Sequence, residues 1–154
     1  MPSDSLLNEL AALVAQEGDR FSTARAIAEA IRAAGAYRWT GIYDVHLQKG
    51  VVSNIGWSGS GPPAYPTFPI TTGLTSRAIA SKKTVNVGDV ANDPDYLTAL
   101  ATTRSEIVIP VLDATGHSVR GTIDVESEHP NAFDSAVQER FERCARVLSL
   151  FWRP

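Results

Sequence analysis

A chain of 154 residues with 44% hydrophobic and 20% charged residues is long enough to bury a core and too apolar for wholesale disorder. Its formal charge of −3, with no Lys/Arg-dense stretch, excludes a nucleic-acid or anionic-membrane surface as the main role. The start MPSDSLLNEL lacks the marks of a secretory signal, no run reaches the roughly 18 apolar residues of a membrane span, and the single cysteine, Cys144, excludes an internal disulfide, so a cytoplasmic protein is expected.

From Ser5 to Gln16, Leu6, Leu10, Leu13 and Val14 recur at helical spacing, with Ser3, Asp4 or Ser5 available as N-cap. FSTARAIAEAIRAAGA predicts a second helix with Ala24, Ile27, Ala28 and Ile31 on its apolar face. Ser22 is its expected N-cap, and Gly35 stands where a left-handed C-terminal residue is expected. From Tyr37 the period changes to that of strands: YRWTGIYDV and GVVSNIGW predict an antiparallel pair joined at HLQKG. SGSGPPAYP, residues 58–66, is a surface loop.

TFPI resumes as a short strand, TTGLTSRAIASKK reads as a short helix, and TVNV as a brief strand. The loop GDVANDPDYLTALATTR follows, with a turn of helix expected around Tyr96 to Ala101; loops this long in compact domains usually serve function. SEIVIPVLD and SVRGTIDVES predict a hairpin around ATGH. The closing helix, Phe133 to Trp152, opens on Asp134 as N-cap and carries Val137, Phe141, Cys144, Leu148 and Phe151 as a heptad seam. The segments 1–35, 37–127 and 133–152 are thus two helices, a sheet with one inserted helix, and a long final helix. A single α+β domain results, with about six antiparallel strands, the N- and C-terminal helices on one face and a loop-roofed pocket on the other.

WTGIY on the first strand, ITTGLTSRAIA before the inserted helix, RSEIVIPV and GTIDVES on the hairpin, and NAFD before the last helix resemble a GAF domain over nearly the whole chain. The chain looks most like the free methionine-(R)-sulfoxide reductases, which carry comparable W-x-G-F-Y, S-E-I-V-V-P and D-x-D motifs. The resemblance implies that the acids of SEIV and TIDVE hold the amino group and sulfoxide of a substrate. It also implies cysteines near Tyr65, Thr75 and Ala99, where this chain has none. Activity by that mechanism is therefore not expected, and Cys144, on the closing helix, is read as a buried structural residue.

Strand parity places Glu106, Val108 and Pro110 on one face, and Thr122, Asp124 and Glu126 on one face of the next strand. With the hairpin centred on Thr115, Glu106 lies opposite Asp124, and Glu126 is its diagonal neighbour. Like charges opposed across strands destabilise a sheet, so two readings stand: a solvated face on which water screens the acids, or a pocket in which they hold a cationic or amide donor. Trp39 and Tyr43, on one strand face, and Trp57 and Tyr65, beside the Gly/Pro loop, would either fill core or supply aromatic walls for a cation.

The expected ligand-binding set is Trp39, Tyr43, Tyr65, Glu106, Asp124 and Glu126, for a small molecule such as an amino acid or amine. No metal and no cofactor are expected: His46, His117 and His129 show no ligand spacing, NDPD is too short for a calcium loop, and no pocket cysteine could carry a tetrapyrrole. The expected role is a non-catalytic sensor or regulatory module. The alternatives are an enzyme using carboxylate acid/base chemistry on an amine-bearing substrate, or an interaction module dimerising through its terminal helices as a homodimer.

Overall fold

The computed structural model describes residues 4–97 and 102–152. Helix α1 (Ser5–Ala15) is capped by Asp4, whose carboxylate accepts from the Leu6 amide at 2.9 Å. Arg140 grips the same carboxylate at 2.8 and 3.0 Å, which ties the start of α1 to the closing helix and holds the Asp4 carboxyl down at about 2. Helix α2 (Arg20–Ala33) begins three residues earlier than Ser22 would allow as a cap. Asp19 is the N-cap, and Ser22 instead donates its amide to the Asp19 carboxylate at 3.0 Å. The left-handed residue after α2 is Ala36 (φ 51°) and not Gly35. Gly35 is required for another reason: a Cβ there would lie 2.3 Å from the Tyr37 ring.

Strands β1 (Trp39–His46), β2 (Val51–Gly59), β3 (Thr67–Pro69), β4 (Val85–Val87), β5 (Ser105–Leu112) and β6 (Val119–Ser127) form one curled antiparallel sheet in the order β3-β2-β1-β6-β5-β4. Helix α3 (Gly73–Ser81) is inserted between β3 and β4, and a 3₁₀ turn at Val90–Asn92 starts the long loop. Of the turn of helix expected around Tyr96 to Ala101, Tyr96 and Leu97 lie in no regular element, and Thr98 to Ala101 lie outside the described residues. Helix α4 (Ser135–Leu148) is capped by Asp134, which accepts from the Val137 amide at 2.9 Å, and passes into a 3₁₀ turn, Ser149–Trp152.

Period-two alternation gives the sheet two different faces. Ile42, Ile107, Ile109, Ile123 and Val125 turn to one side and form the main core with Leu6 and Leu10 of α1, Ile27 and Ile31 of α2, and Phe141 and Leu148 of α4. The apolar stripes of the terminal helices are thus occupied within the chain. On the other side, Trp39, Tyr43, Val45 and Val52 pack with Phe68, and Val108 packs with Leu74 and Ala78 of α3. Three helices cover the first face; α3 and the loops cover the second.

The β5–β6 hairpin departs from the expected register by two residues. Glu106 lies opposite Glu126, and Val108 opposite Asp124. The cause is at the turn. The Asp113 carboxylate accepts from the Thr115 amide (3.1 Å), the Thr115 hydroxyl (2.7 Å) and the His117 amide (3.2 Å), while an irregularity between Val111 and Leu112 shifts the ladder. An even slip leaves every side chain on its expected face, so the three acids still share one side.

Candidate functional site

The acids meet on the side of the sheet covered by α3 and the loops. Cross-strand pairing sets Trp39 of β1 beside Glu126 and Gly41 beside Asp124. Gly41 carries no Cβ because one would lie 2.3 Å from the indole of Trp39, which lies across it. The Trp39 Nε1–H donates to the Gly61 carbonyl at 2.9 Å, so the indole anchors the Gly/Pro loop over this face. Tyr43 packs edge-on against both Trp39 and Phe68, with centroids 6.4 and 5.7 Å away.

Between this floor and the loops is a small, partly open cavity of about 30 Å³, lined by Tyr43, Tyr65, Glu106 and Asp124 with Pro63, Phe68, Gly73, Leu74, Thr75 and Leu97. Its roof is held by Arg77 of α3, which donates to the Asp93 carboxylate at 2.6 Å and so pins the loop that carries Leu97. Two larger open grooves, of about 720 and 630 Å³, lie elsewhere and do not include the three acids.

The acids are buried, with Glu106 6%, Asp124 8% and Glu126 0% exposed, which rules out a solvated face. Each offers an oxygen within 4.8 Å of the other two. Burial, then the charges of Asp124 and Glu126, push the Glu106 carboxyl far above the usual range. Burial raises Asp124 to about 6, opposed by its hydrogen bond with Glu106; burial, then Asp124, raises Glu126 to about 8. Burial and the charges of its two neighbours thus favour the protonated form of Glu106. Glu126 Oε1 accepts from the Thr103 hydroxyl at 2.8 Å and the Tyr96 hydroxyl at 3.4 Å. Its Oε2 and Asp124 Oδ1 are buried without a hydrogen-bond partner among the described residues.

The structure therefore gathers the expected residues. Tyr43, Tyr65, Glu106 and Asp124 line the cavity, while Trp39 and Glu126 flank it in the floor. Two of the positions where the resemblance places cysteine, Tyr65 and Thr75, line the same cavity; Ala99 lies outside the described residues. Thr103, Tyr96, Leu97 and Phe68 escaped the sequence reading. They sit on loops or a short edge strand, where no period assigns a direction to a side chain.

Cys144 lies on the opposite side of the sheet, within the helical core and fully buried. Burial pushes its thiol up to about 11. The native protein is expected to leave a colorimetric disulfide reagent unreacted at pH 8 and to consume one equivalent in denaturant. Rapid reaction of the native thiol would contradict its placement.

No model of a known protein family matches the chain. The fold is similar to the structure of the free methionine-R-sulfoxide reductase of Neisseria meningitidis in complex with its substrate, at 28% identity and a TM-score of 0.83 over 99% of this chain and 92% of that one. The sequence is 23% identical to GAF domain-containing protein A of Dictyostelium discoideum over 94% of this chain and 89% of that protein. It is 25% identical to the Saccharomyces cerevisiae free methionine-R-sulfoxide reductase over 68% and 67%. The sheet, its helical cover and its loop-roofed face are those of the GAF fold. Within that fold the chain is related both to GAF sensor domains and to free methionine-R-sulfoxide reductases.

Proposed function

We propose that this domain binds a small molecule in the acidic, aromatic pocket and acts as a non-catalytic sensing or regulatory module. The observation that carries this reading is the pair of buried carboxylate oxygens, Asp124 Oδ1 and Glu126 Oε2, left without donors beside a roofed cavity. Unsatisfied buried acceptors are costly, and a ligand with an ammonium or amide N–H would supply what they lack. Trp39, Tyr43 and Tyr65 add aromatic faces suited to a cation. Amino acids and methionine sulfoxide are the first candidates, because the related Neisseria reductase holds its substrate on the same fold.

A cavity of about 30 Å³ has room for about one water, so ligand entry requires the roof to open. Against thiol chemistry stands the position of Cys144, the chain's single cysteine, on the far side of the sheet. A second reading, acid/base catalysis on an amine-bearing substrate, is favoured by the close spacing and burial of the Glu106 and Asp124 carboxyls. It requires turnover that is lost in Glu106→Gln with a changed pH profile.

The binding reading is tested by thermal-shift measurements with free amino acids, both methionine sulfoxide epimers and small amines, on the wild type and Glu106→Gln. A ligand at a hundred times its dissociation constant should add roughly 2.7 kcal/mol and raise the midpoint by several degrees. The substitution should abolish the shift. A flat screen on the wild type would end the reading.

A further inference from the structure

Three carboxylates are gathered here, Glu106 and Asp124 lining the cavity and Glu126 beside it, and none of them has a salt bridge to an Arg, Lys or His of the described residues. Their mutual spacing, within 4.8 Å, is what oxygen ligands adopt around a single ion, since metal–oxygen distances of about 2.0–2.6 Å set ligand atoms about 3–5 Å apart. Clustering alone would not define a site. The independent observation is the hydrogen-bond accounting. Asp124 Oδ1, on a side chain that lines the cavity, and Glu126 Oε2, on a fully buried one, have no partner among the described residues. Buried polar atoms are almost always satisfied, so the two orphaned carboxylate oxygens of the cluster point to something that sits against them.

We propose that Glu106, Asp124 and Glu126 form a binding site for a hard divalent cation of the magnesium, manganese or calcium class. The ligand atoms are all carboxylate oxygens and the cluster includes no His or Cys, which selects an oxygen-seeking ion. Two ligands are two residues apart on β6, and the third is on the adjacent β5, so the sheet fixes their spacing. Thr103 and Tyr96, on Glu126 Oε1, orient that carboxylate and leave its other oxygen to the ion. A divalent ion neutralises two carboxylates at once, where an ammonium group neutralises one. A cavity of about 30 Å³ accepts an ion stripped of most of its water. The three acids escape motif reading because they are ligands by topology and have no sequence spacing of a known metal site.

This inference rests on the reading that the acidic face is a binding pocket, and it changes what that pocket offers. Emptied of protons it accepts an ammonium group; loaded with an ion it presents positive charge to an oxygen of a ligand.

The test is calorimetric titration of chelator-treated protein with Mn²⁺ at pH 8, together with Tb³⁺ emission on tryptophan excitation, since Trp39 lies beside Glu126 on β1. One equivalent of Mn²⁺ should bind, Tb³⁺ emission should appear, and Mn²⁺ should displace it. Asp124→Asn and Glu106→Gln, both isosteric, should each weaken Mn²⁺ binding at least about tenfold, by analogy with losses at supporting positions of metal sites. Asp95→Asn, on the exposed loop, should leave it unchanged. Should one of the two pocket variants fail to fold, the other decides. Absence of Mn²⁺ binding at millimolar concentration would overturn the proposal, as would equal binding by the wild type and the pocket variants. An organic ligand that binds without metal while Mn²⁺ does not bind would remove the ion and keep the earlier reading. Mn²⁺ binding with no organic ligand in its presence or absence would do the reverse.

Discussion

Replacing Glu126 by glutamine is expected to stabilise the domain by about 3 kcal/mol at pH 9 and to change it little at pH 5. The Glu126 side chain is fully buried, and burial followed by the charge of Asp124 raises its carboxyl from 4.5 to about 8. The folded state thus holds the Glu126 proton more tightly than the unfolded chain does. That contribution to stability is complete below pH 4.5 and is lost as pH rises through about 8. The full gap corresponds to about 5 kcal/mol; part of it is shared with Asp124 and Glu106, which titrate with it, so about 3 is the expected size. Glutamine keeps an oxygen for Thr103 and cannot ionise. Urea unfolding at pH 5, 7 and 9 measures the difference directly. Parallel stability curves for the two proteins, or a weaker variant at pH 9, would show that the carboxylate is solvated or otherwise neutralised.

A residue whose removal stabilises the fold is not there for the fold. Three buried acids on one face of a sheet, with Val108 and Leu74 beside them, would be replaced by apolar residues at no loss of packing if stability alone mattered. Their cost points to binding, because an incoming cation offsets the repulsion that folding has to tolerate. The same linkage makes the site sensitive to pH. Any cation entering it displaces protons from Glu106 and Glu126, so affinity for a fixed positive charge should rise between pH 6 and 8.

The gathering of these acids was legible because strand parity is robust. Glu106 and Glu126 turn inward whether the hairpin register is the expected one or the observed one, since the two differ by an even slip. What parity could not supply was the partner across the ladder, which depends on how the Asp113 side chain folds the turn and on the irregularity at Val111. Helix starts show the same limit. Asp19 and Ser22 are both good caps, and the choice falls to Asp19 because the helix extends back to Arg20, whose guanidinium pairs with Asp44 of β1. The burial of Asp44 is explained from three directions that no local pattern connects: Arg20 from α2, Trp152 donating at 2.7 Å from the C-terminal turn, and the sheet itself. Loop residues were the least legible. Leu97 reaches the cavity, and Thr103 reaches Glu126, through tertiary packing alone.

Gly56→Val should cost about 3 kcal/mol or more and lower the melting temperature by about 6–12 °C. A Cβ at Gly56 would lie 2.6 Å from the Arg25 backbone nitrogen and 2.7 Å from the Ala24 carbonyl carbon. Neither contact can be relieved by rotating a side chain, because both are backbone atoms of α2, which is held against the sheet by Ala24, Ile27, Ala28 and Ile31, all fully buried. The helix must lift, and its removal would strip the main core on that side. Gly61→Ala provides the contrast. No atom lies within 4 Å of its Cβ position, and the Gly61 carbonyl that receives the Trp39 N–H is retained, so the change should be neutral or slightly stabilising through the unfolded chain. Equal melting temperatures for the two variants would mean that α2 does not rest on β2 as described. A large loss in both would instead place the sensitivity in the backbone freedom of the two glycines, whereas loss in Gly56→Val alone assigns it to the close approach of helix and strand that fixes the floor beneath the pocket.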